Sequence, residues 1–502
     1  MLRKLLCVVV LCSFTFFVID TFSNDEFSDA INMPSLTTDH AGVNRAFRIS
    51  MGDLLGNVAK RPVGILARDH FVILAGLDYQ RPWTRDASIN AWNGASLIMP
   101  EISKNTLLSV LQNSGDDIRI GGQYWDAMVW AAGAWNHYLY TGDREFLETA
   151  VRAVKNSLQF FEATEFDRET GLFRGPGWSD GVAAYPDGYT AGKSSAILDW
   201  PKSHPDKISK PGYGIPMLAL STNCLYYNAY MIASKMAQET GTAVDPEWIR
   251  KATRLQDAIN KHLWMPKKGY YRFFSGALGN CDYQESLGHA YAIMFGVANP
   301  EQTESIFKTQ HITDAGVPCT WPTFARYQNE EKTSYGRHSG TVWPQIQGFW
   351  ADAAARHKKE TIFAHEFFRL TEHANRDQQF AEIYHPDSGE IYGGMQEAGE
   401  QRGIILWHAT NRQTWAATAY IRMILLSVVG LRFDTDGLIF QPCLPDGISH
   451  LELNNIHYRN MIINITIDKN NNDEMQCNIN ENKQQKAFLG LDGVGEKNIH
   501  LY

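Results

Sequence analysis

The sequence predicts an all-α protein, an (α/α)6 toroid of paired helices, followed by a small β-rich region at its C-terminal end. Between Ala41 and about Gly430, apolar residues recur at helical spacing in about eleven segments. After Leu431 the pattern changes to short runs of β-branched residues separated by turn residues. Paired helices joined alternately by short turns and long loops suit a ring whose loops form a cleft on one face.

Capping residues mark the ends of several expected helices. Asp245 supplies an N-cap before Pro246 at the first helical position, and Gly142 separates two helical segments. The segments expected to be helical are 42–59, 87–112, 124–139, 143–163, 221–240, 246–262, 286–297, 300–309, 341–356, 359–375 and 411–429.

The β-branched runs at 437–441 and 461–467 are expected to be strands of the C-terminal region. The boundaries that we predict are therefore a helical domain over 24–430 and a small β region over 431–502.

The first residues are expected to form a signal peptide. Arg3 and Lys4 precede an apolar stretch over 5–19, and polar residues follow from Asn24. That stretch is shorter than the about 20 residues that a bilayer-spanning helix needs. We therefore predict cleavage after Ser23, removal of residues 1–23, no integral membrane span in the mature chain, and a secreted or periplasmic location.

Charge and cysteine content exclude several classes of partner. The net charge is −9, and no run of Lys or Arg stands out, which argues against nucleic acid as a partner. The five cysteines beyond the N-terminal segment are widely spaced, which leaves room for one disulfide but for no CxxC metal site. Glu285 and His289 lie four residues apart without a third ligand at helical spacing. We predict neither a metal nor a cofactor.

Tryptophan residues in the expected loops indicate a carbohydrate-binding cleft. Sugar rings stack on Trp through apolar C–H faces, while their hydroxyl groups need charged or amide partners. For any single Trp, core packing remains the alternative. The Trp residues that adjoin Asp, Arg, Pro or Gly are Trp83, Trp125, Trp178, Trp200, Trp321, Trp343 and Trp407.

Two loops rich in Gly and aromatic residues carry candidate catalytic carboxylates. The loop 175–188 contains Asp180 and Asp187, and the loop 381–390 contains Glu382. Hydrolysis of a glycosidic bond needs a carboxylic acid to protonate the leaving oxygen and a second carboxylate to activate water or attack the sugar. Surroundings of this kind can shift a carboxyl pKa toward such a role.

Four segments resemble glycosidase motifs. Trp83-Thr84-Arg85-Asp86 resembles the sugar-binding segment of glucoamylases, and 340–350 is similar to the Gly-x-Val/Ile-Trp-Pro helix start of six-hairpin glycosidases. The segment 382–389 resembles the Glu-x-Tyr-x-Pro-x-x-Gly segment of trehalases, processing α-glucosidases and mannosylglycerate hydrolases. Gly177-Trp178-Ser179-Asp180 resembles the loop that carries the acid in those families. There the Asp usually follows the Trp or Leu directly, so Asp187 remains an alternative to the favoured Asp180.

The resemblance implies an inverting glycoside hydrolase. Asp180 would protonate the leaving oxygen, and Glu382 would deprotonate the attacking water, with the two carboxyl groups about 6.5–9.5 Å apart. Arg85 and Asp86 would bind the sugar that is cleaved off. Other substrate contacts are expected from Trp83, Trp125, Asp126, Trp178, Asp187, Trp343, Gln347 and Trp407, although Gln347 could equally pack between helices.

The expected substrate is an oligosaccharide or small glycoside with a terminal, α-linked glucosyl or mannosyl unit. Long loops at 171–216 and 377–410 would narrow the cleft into a pocket, which favours removal of terminal sugars. The alternatives are another enzyme on the same toroid, such as an epimerase, lyase or phosphorylase, and a non-catalytic sugar-binding protein.

Overall fold

The computed structural model of the protein describes residues 33–62, 64–66, 68–115, 117–122, 125–177, 185–186, 189, 197–206, 214–399, 401–469 and 475–502. The expected signal peptide lies outside the described residues, as do Trp178, Asp180 and Asp187.

Six helical segments of the described chain are buried on nearly all sides and are called the ring helices below. Each packs against the next, and the last packs against the first, so the six close into a ring. In chain order they are Thr84–Asn90 with Ala91–Ala95 and Ser96–Ile98, Asp126–Thr141, Leu220–Thr240, Ser286–Met294, Pro344–Arg356, and Thr414–Arg422 with Met423–Val428.

Helices with one buried face alternate with the ring helices along the chain. In Pro246–Leu263, for example, Ala252, Leu255 and Ile259 are buried at spacings of three and four residues, which is the pattern of an amphipathic helix. This helix packs against Leu220–Thr240. The helices of this outer set are Ala41–Gly56, Pro100–Ser109, Arg144–Glu165, Pro246–Leu263, Pro300–Thr309 and Glu360–Asp377.

The helix boundaries follow the expected capping residues. The side chain of Asp245 accepts a hydrogen bond from the backbone of Glu247 at the start of its helix. Gly142 follows the helix Asp126–Thr141 and ends it in the left-handed conformation, with φ of 72°. Asp143 then caps the next helix by accepting from the backbone of Phe146 at 2.9 Å.

The predicted helix 87–112 differs more from the structure than the other predicted helices do, whose ends shift by about three residues or fewer. It is interrupted by the π-helical turn Ala91–Ala95 and again at Met99, which leaves the helical region with φ of −136°. Pro100 explains the second break, since proline disfavours the helical conformation in the residue before it. The chain then enters the strand Leu111–Ser114 instead of extending the helix.

The C-terminal residues contribute to two sheets, of which the larger is mixed and the smaller is antiparallel. The larger has the strand order Ser35–Thr38, His450–Tyr458, Met461–Asp468, Gly495–Leu501, Cys477–Ile479 and Asn482–Gln484. Only Met461–Asp468 and Gly495–Leu501 pair in parallel among these strands of the described chain. The smaller sheet has the order Leu431–Asp434, Gly437–Phe440 and Phe488–Gly490. The strand Ser35–Thr38 precedes all the described helices, so the larger sheet draws on both ends of the chain.

Short two-stranded sheets and turns lie between the helices. The paired strands are Val58–Arg61 with His70–Ile73, Leu111–Ser114 with Asp117–Ile120, Phe166–Asp167 with Leu172–Phe173, Met217–Ala219 with Phe274–Gly276, Trp264–Met265 with Tyr270–Tyr271, Gln284–Glu285 with Thr320–Trp321, and Met395–Glu397 with Ile404–Leu406. Ile197–Asp199 and Ala325–Tyr327 are 3-10 turns, and Trp200–Ser203 is a one-turn helix.

No helix among the described residues has both the length and the apolar character that a membrane span requires. Cys224, Cys281, Cys319, Cys443 and Cys477 are all free thiols.

Candidate active site

The predicted site residues gather where ring helices begin. Trp83, Trp125 and Trp343 each immediately precede the first residue of a ring helix. An outer helix returns the chain between successive ring helices, so the ring helices run in the same direction. Their N-terminal ends therefore share one face of the ring.

Arg85 links two acidic side chains from neighbouring ring helices. Its Nη1 donates to Oδ2 of Asp126 at 3.3 Å, and its Nε lies 3.9 Å from Oδ2 of Asp86. The guanidinium also stacks over the Trp83 ring, with Cζ 4.6 Å from the ring centroid. Arg85, Asp86 and Asp126 are all nearly buried, which strengthens their mutual attraction.

The carboxylate of Glu382 is held through one of its two oxygens. Oε2 accepts a hydrogen bond from Nη2 of Arg337 at 2.7 Å and another from the backbone N–H of Thr410 at 2.8 Å. These are the hydrogen bonds that described residues make to this carboxylate, and both reach Oε2. The side chain is 4% exposed. This geometry fixes the carboxylate and leaves Oε1 as the oxygen that can act on a substrate or water.

Backbone carbonyls and a Trp ring hold Arg337 in place. Its Nη1 donates to the carbonyl oxygens of Gly393 and His408, at 2.9 Å each. Its own carbonyl accepts from the indole N–H of Trp343 at 2.8 Å, and the guanidinium lies 5.5 Å from the centroid of the same ring. His338 stacks on Trp343 at 4.4 Å.

Gly393 and Gly394 allow their segment to approach the backbone of Trp407 and of Arg337 closely. A Cβ atom on Gly393 would lie 1.7 Å from the carbonyl oxygen of Trp407, and one on Gly394 would lie 2.3 Å from Cα of Arg337. Both contacts are with backbone, which cannot move aside as a side chain can. Glycine at 393 and 394 is therefore a condition for the position of Arg337.

Tyr79 lies near both the Arg85–Asp86 pair and Glu382. Burial raises the pKa of Tyr79, and the nearby carboxylates of Glu382 and Asp86 raise it further, while a hydrogen bond with the Thr410 side chain and the charge of Arg337 oppose the rise. The two motifs, about 300 residues apart in sequence, therefore lie close to the same phenol. The phenol remains protonated at neutral pH.

The two described ends of the predicted acid-bearing loop are anchored on the same face of the ring. A Cβ atom on Gly177 would lie 2.7 Å from Oε1 of Glu285, so the backbone passes close to that carboxylate. At the other end, the carbonyl of Tyr185 accepts from Arg326, and its ring stacks on Phe273 at 6.1 Å. Asp180 falls between these two anchors in sequence.

Gln347 has a different environment from the one predicted for a substrate contact. It is fully buried, and its amide donates to Oε2 of Glu366 at 3.0 Å and to the carbonyl of Ala315 at 3.1 Å. Glu366 belongs to the outer helix Glu360–Asp377. The structure therefore favours the alternative that Gln347 packs between helices.

The other predicted Trp contacts differ in how much of the ring is accessible. Trp125 and Trp343 are each 2% exposed, whereas Trp83 and Trp407 are half-buried. Trp407 stacks beside His408, whose carbonyl holds Arg337. Among the four predicted Trp contacts that the structure describes, Trp83 and Trp407 thus have ring surface accessible to a sugar.

Glu285 and His289 make protein hydrogen bonds at the position considered for a metal. Glu285 accepts from the hydroxyl and backbone of Ser221, at 2.5 and 3.0 Å. His289 bonds Gln310 and the carbonyl of Tyr271 through its two ring nitrogens. Within the described ranges, no group of three His, Cys, Asp or Glu residues has the geometry of a metal site.

The sequence profile of the mannosylglycerate hydrolase MGH1-like glycoside hydrolase domain matches residues 80–416, which include Arg85 and Glu382. The chain belongs to this MGH1-like glycoside hydrolase family. A second profile, the C-terminal domain of glycosyl hydrolase family 65, matches residues 431–472. No curated protein matches the chain by sequence.

Solved structures share the fold of this MGH1-like chain at low sequence identity. A sialidase aligns with a TM-score of 0.67 and 14% identity over 92% of this chain and 42% of its own. A GH78 rhamnosidase from a Bacillus species aligns with a TM-score of 0.59 and 15% identity, over 93% of this chain and 44% of its own. The chain thus spans less than half the length of these two proteins. The GH63 mannosylglycerate hydrolase from Thermus thermophilus, solved with glucose, aligns with a TM-score of 0.55 and 13% identity, over 76% of this chain and 99% of its own.

Three residues of the candidate site were not predicted from the sequence. Tyr79 stands at the start of the segment that contains Arg85 and Asp86, so its proximity to that motif was the available signal. Arg337 lies 45 residues before Glu382, and no local pattern marks it as a partner. Thr410 contributes its backbone N–H, a group that every non-proline residue has.

Proposed function

We propose that this glycoside hydrolase is an inverting exo-α-glycosidase that removes a terminal glucosyl or mannosyl unit from a small saccharide. In this proposal the ring helices and the outer helices form an (α/α)6 barrel, and the sheet residues after 431 form a smaller region beside it. The apolar N-terminal segment 5–19 would direct the chain out of the cytoplasm, to the periplasm or the exterior.

The observation that carries the proposal is the one-sided hydrogen bonding of Glu382. A general base in an inverting glycosidase needs a fixed carboxylate with one oxygen available to a water molecule. Arg337 and Thr410 hold Oε2 of Glu382, so Oε1 would accept the proton of the attacking water. Charge-assisted hydrogen bonds of this kind are strong enough to fix the side chain during the reaction.

Asp180 is the proposed general acid. It would give its proton to the glycosidic oxygen as the bond to the anomeric carbon breaks, while Glu382 takes a proton from the water that attacks the opposite face. Asp187 is the alternative acid. The anchors at Gly177 and Tyr185 support this assignment, because they hold the loop ends on the face where the ring helices begin.

Arg85, Asp86 and Asp126 would bind hydroxyl groups of the sugar that is removed. Arg85 supplies donors in a planar fork, and the carboxylates of Asp86 and Asp126 supply acceptors for two neighbouring hydroxyls. Trp83 and Trp407 would stack on the apolar faces of the sugars. The Tyr79 phenol supports the assignment of these residues and Glu382 to one subsite, since it lies near both Asp86 and Glu382.

The proposal is tested by following hydrolysis of α-linked disaccharides and aryl glucosides and mannosides with proton NMR. The first anomer released should have the inverted configuration, and only terminal sugars should appear. Asp180→Asn and Asp187→Asn, compared side by side, identify the acid. A retained anomer, an epimerised or unsaturated product, or cleavage inside a long polymer would contradict the proposal.

A further inference from the structure

A cluster of three arginines surrounds one carboxylate at the end of the ring opposite the candidate active site. Asp352 accepts from Nη2 of Arg422 at 2.6 Å and from Nε and Nη2 of Arg356 at 2.9 and 3.1 Å. Nη1 of Arg432 lies 3.5 Å from Oδ1 of the same carboxylate. Asp352 and Arg422 have no exposed side-chain surface, and Arg432 is 13% exposed.

The charges of this cluster do not balance. Three guanidinium groups and one carboxylate leave two positive charges, and among the described residues Asp352 is the acidic group that pairs with them. Although burial opposes it, the three arginines hold the pKa of Asp352 well below its usual range. Burial lowers the pKa of Arg432 to about 10 despite Asp352. Arg356 is 32% exposed and is partly solvated, whereas Arg422 and Arg432 are largely buried. Uncompensated charge on largely buried groups is costly, which favours an additional counter-ion.

Neutral groups offset only part of this excess. Nη1 of Arg432 donates to the carbonyls of Leu426 and Leu431, and Arg422 stacks over Trp92 and Phe349 at 4.7 and 4.3 Å. The partial negative charge at the end of Pro344–Arg356 also favours Arg356. These interactions stabilise the guanidinium groups but carry no full negative charge.

A cavity of about 240 Å³ opens directly onto the cluster. Arg356, Arg432 and Lys235 line it, and none of the described residues in its wall is acidic. Aromatic rings, including those of Trp135 and Phe433, form much of the remaining wall. The wall of the cavity therefore contains both cationic groups and apolar ring surfaces.

The cavity is separate from the candidate active site. Trp343 precedes the helix Pro344–Arg356, and Arg356 is its last residue. Thirteen residues at 1.5 Å each place the two ends about 20 Å apart. A ligand in this cavity would therefore not touch Glu382 or Arg85.

We propose that this cavity binds a small organic oxyanion, a carboxylate or phosphate ester whose charged group pairs with Arg356, Arg432 and Lys235. Its uncharged part packs against the aromatic wall. The cavity is smaller than the 300–1,000 Å³ of typical drug-sized sites, which limits that part to about one ring. This site does not depend on the reaction proposed for Glu382.

The test is calorimetric titration of the wild-type protein at low ionic strength with phenyl phosphate, inorganic phosphate and phenol. Low salt keeps the charge attraction from being screened. Phenyl phosphate should bind with one-to-one stoichiometry, at least threefold more tightly than inorganic phosphate, and phenol should give no saturable binding. Inorganic phosphate binding as tightly as phenyl phosphate would overturn the assignment of an organic ligand.

Two variants locate the binding. Lys235 is exposed, so Lys235→Gln removes one charge without disturbing the core, and it should weaken phenyl phosphate binding about fivefold. Arg356→Gln should weaken it further. The matched control is Lys261→Gln, an exposed lysine on the outer helix Pro246–Leu263, which should bind as the wild type does. No saturable binding to the wild type, or unchanged affinity in both cavity variants, would overturn the proposal.

Discussion

Arg337 donates from Nη2 to Oε2 of Glu382 at 2.7 Å, while Nη1 of the same guanidinium donates to two backbone carbonyls. One of these carbonyls belongs to His408, two residues before Thr410, whose N–H also bonds Glu382. A single side chain thus fixes the candidate base and the loop beside it. The position of Glu382 depends on residues that carry no chemistry of their own.

Replacement of Arg337 by lysine should lower kcat more than it changes KM. Lysine keeps the charge but cannot reach Glu382 and both carbonyls with one planar group. A displacement of about 1 Å at a catalytic group can cost about 100-fold in rate. We therefore expect kcat to fall about 10- to 100-fold in steady-state assays on the preferred glycoside.

Arg369→Lys is the control for that substitution, because Arg369 lies on an outer helix with its side chain 43% exposed and pairs with Glu372 at the surface. It should retain the wild-type kcat. Equal kcat in Arg337→Lys and the wild type would show that Arg337 does not position Glu382.

Alanine at Gly393 should destabilise the protein and reduce its activity. The new Cβ would lie 1.7 Å from the carbonyl oxygen of Trp407, so the backbone must shift. We expect a loss of about 1–3 kcal/mol in the free energy of unfolding, measured by urea denaturation. Gly52→Ala is the comparison, since nothing lies within 4 Å of its Cβ position in the helix Ala41–Gly56. That variant should be as stable as the wild type or more so. Similar losses in both would contradict the close-approach argument.

Alanine at Arg85 should weaken turnover of every substrate whose terminal sugar this side chain holds. The loss of charge-assisted hydrogen bonds corresponds to a decrease of about 10- to 100-fold in kcat/KM. The same panel of glycosides should be tested with Arg48→Ala, an exposed arginine on the helix Ala41–Gly56. Unchanged kcat/KM in Arg85→Ala would show that Arg85 does not bind the sugar. Its ion pair with Asp126 would then be a structural contact only.

Asp53 should make stability depend on pH between about 4 and 6. Burial raises the pKa of Asp53 from 3.8 to about 6, while the N–H of Phe380 and the nearby Arg412 oppose the rise. The folded state therefore holds this proton more tightly than the unfolded state does. The free energy of unfolding should fall as pH rises through this window, and Asp53 should contribute about 3 kcal/mol to that fall.

The comparison for this prediction is Asp53→Asn, whose amide oxygen can still accept from Phe380. Urea denaturation of both proteins at pH 4 and pH 7 measures the contribution. If the variant and the wild type show the same pH dependence, Asp53 does not titrate as proposed.

Local sequence patterns were sufficient to predict most helices and the two motifs of the site. Asp245 caps its helix and Gly142 ends another as expected, because these signals depend on residues only a few positions away. Glu382 and the Arg85–Asp86 pair were found because each lies in a contiguous motif. The break at Met99 was also readable from Pro100, yet the apolar pattern continued through it and obscured the signal.

Contacts between distant segments could not be predicted in this way. The strand Ser35–Thr38 pairs with His450–Tyr458 across more than 400 residues, and its short run carries no mark of its partner. The burial of Gln347 depends on Glu366, which lies on the following helix. The roles of Arg337 and Tyr79 likewise follow from the three-dimensional arrangement alone.

The central claim is that Glu382 is the general base of a glycoside hydrolase, and the most direct test is the initial rate of Glu382→Gln on the α-linked glycoside panel. Glutamine keeps the shape of the side chain but cannot take the proton of water. The wild type should hydrolyse at least one member, and Glu382→Gln should remain folded but be slower by about 100- to 10,000-fold. Glu372→Gln, at an exposed carboxylate, should match the wild type. Wild-type rates in Glu382→Gln, or no hydrolysis by the wild type, would contradict the claim.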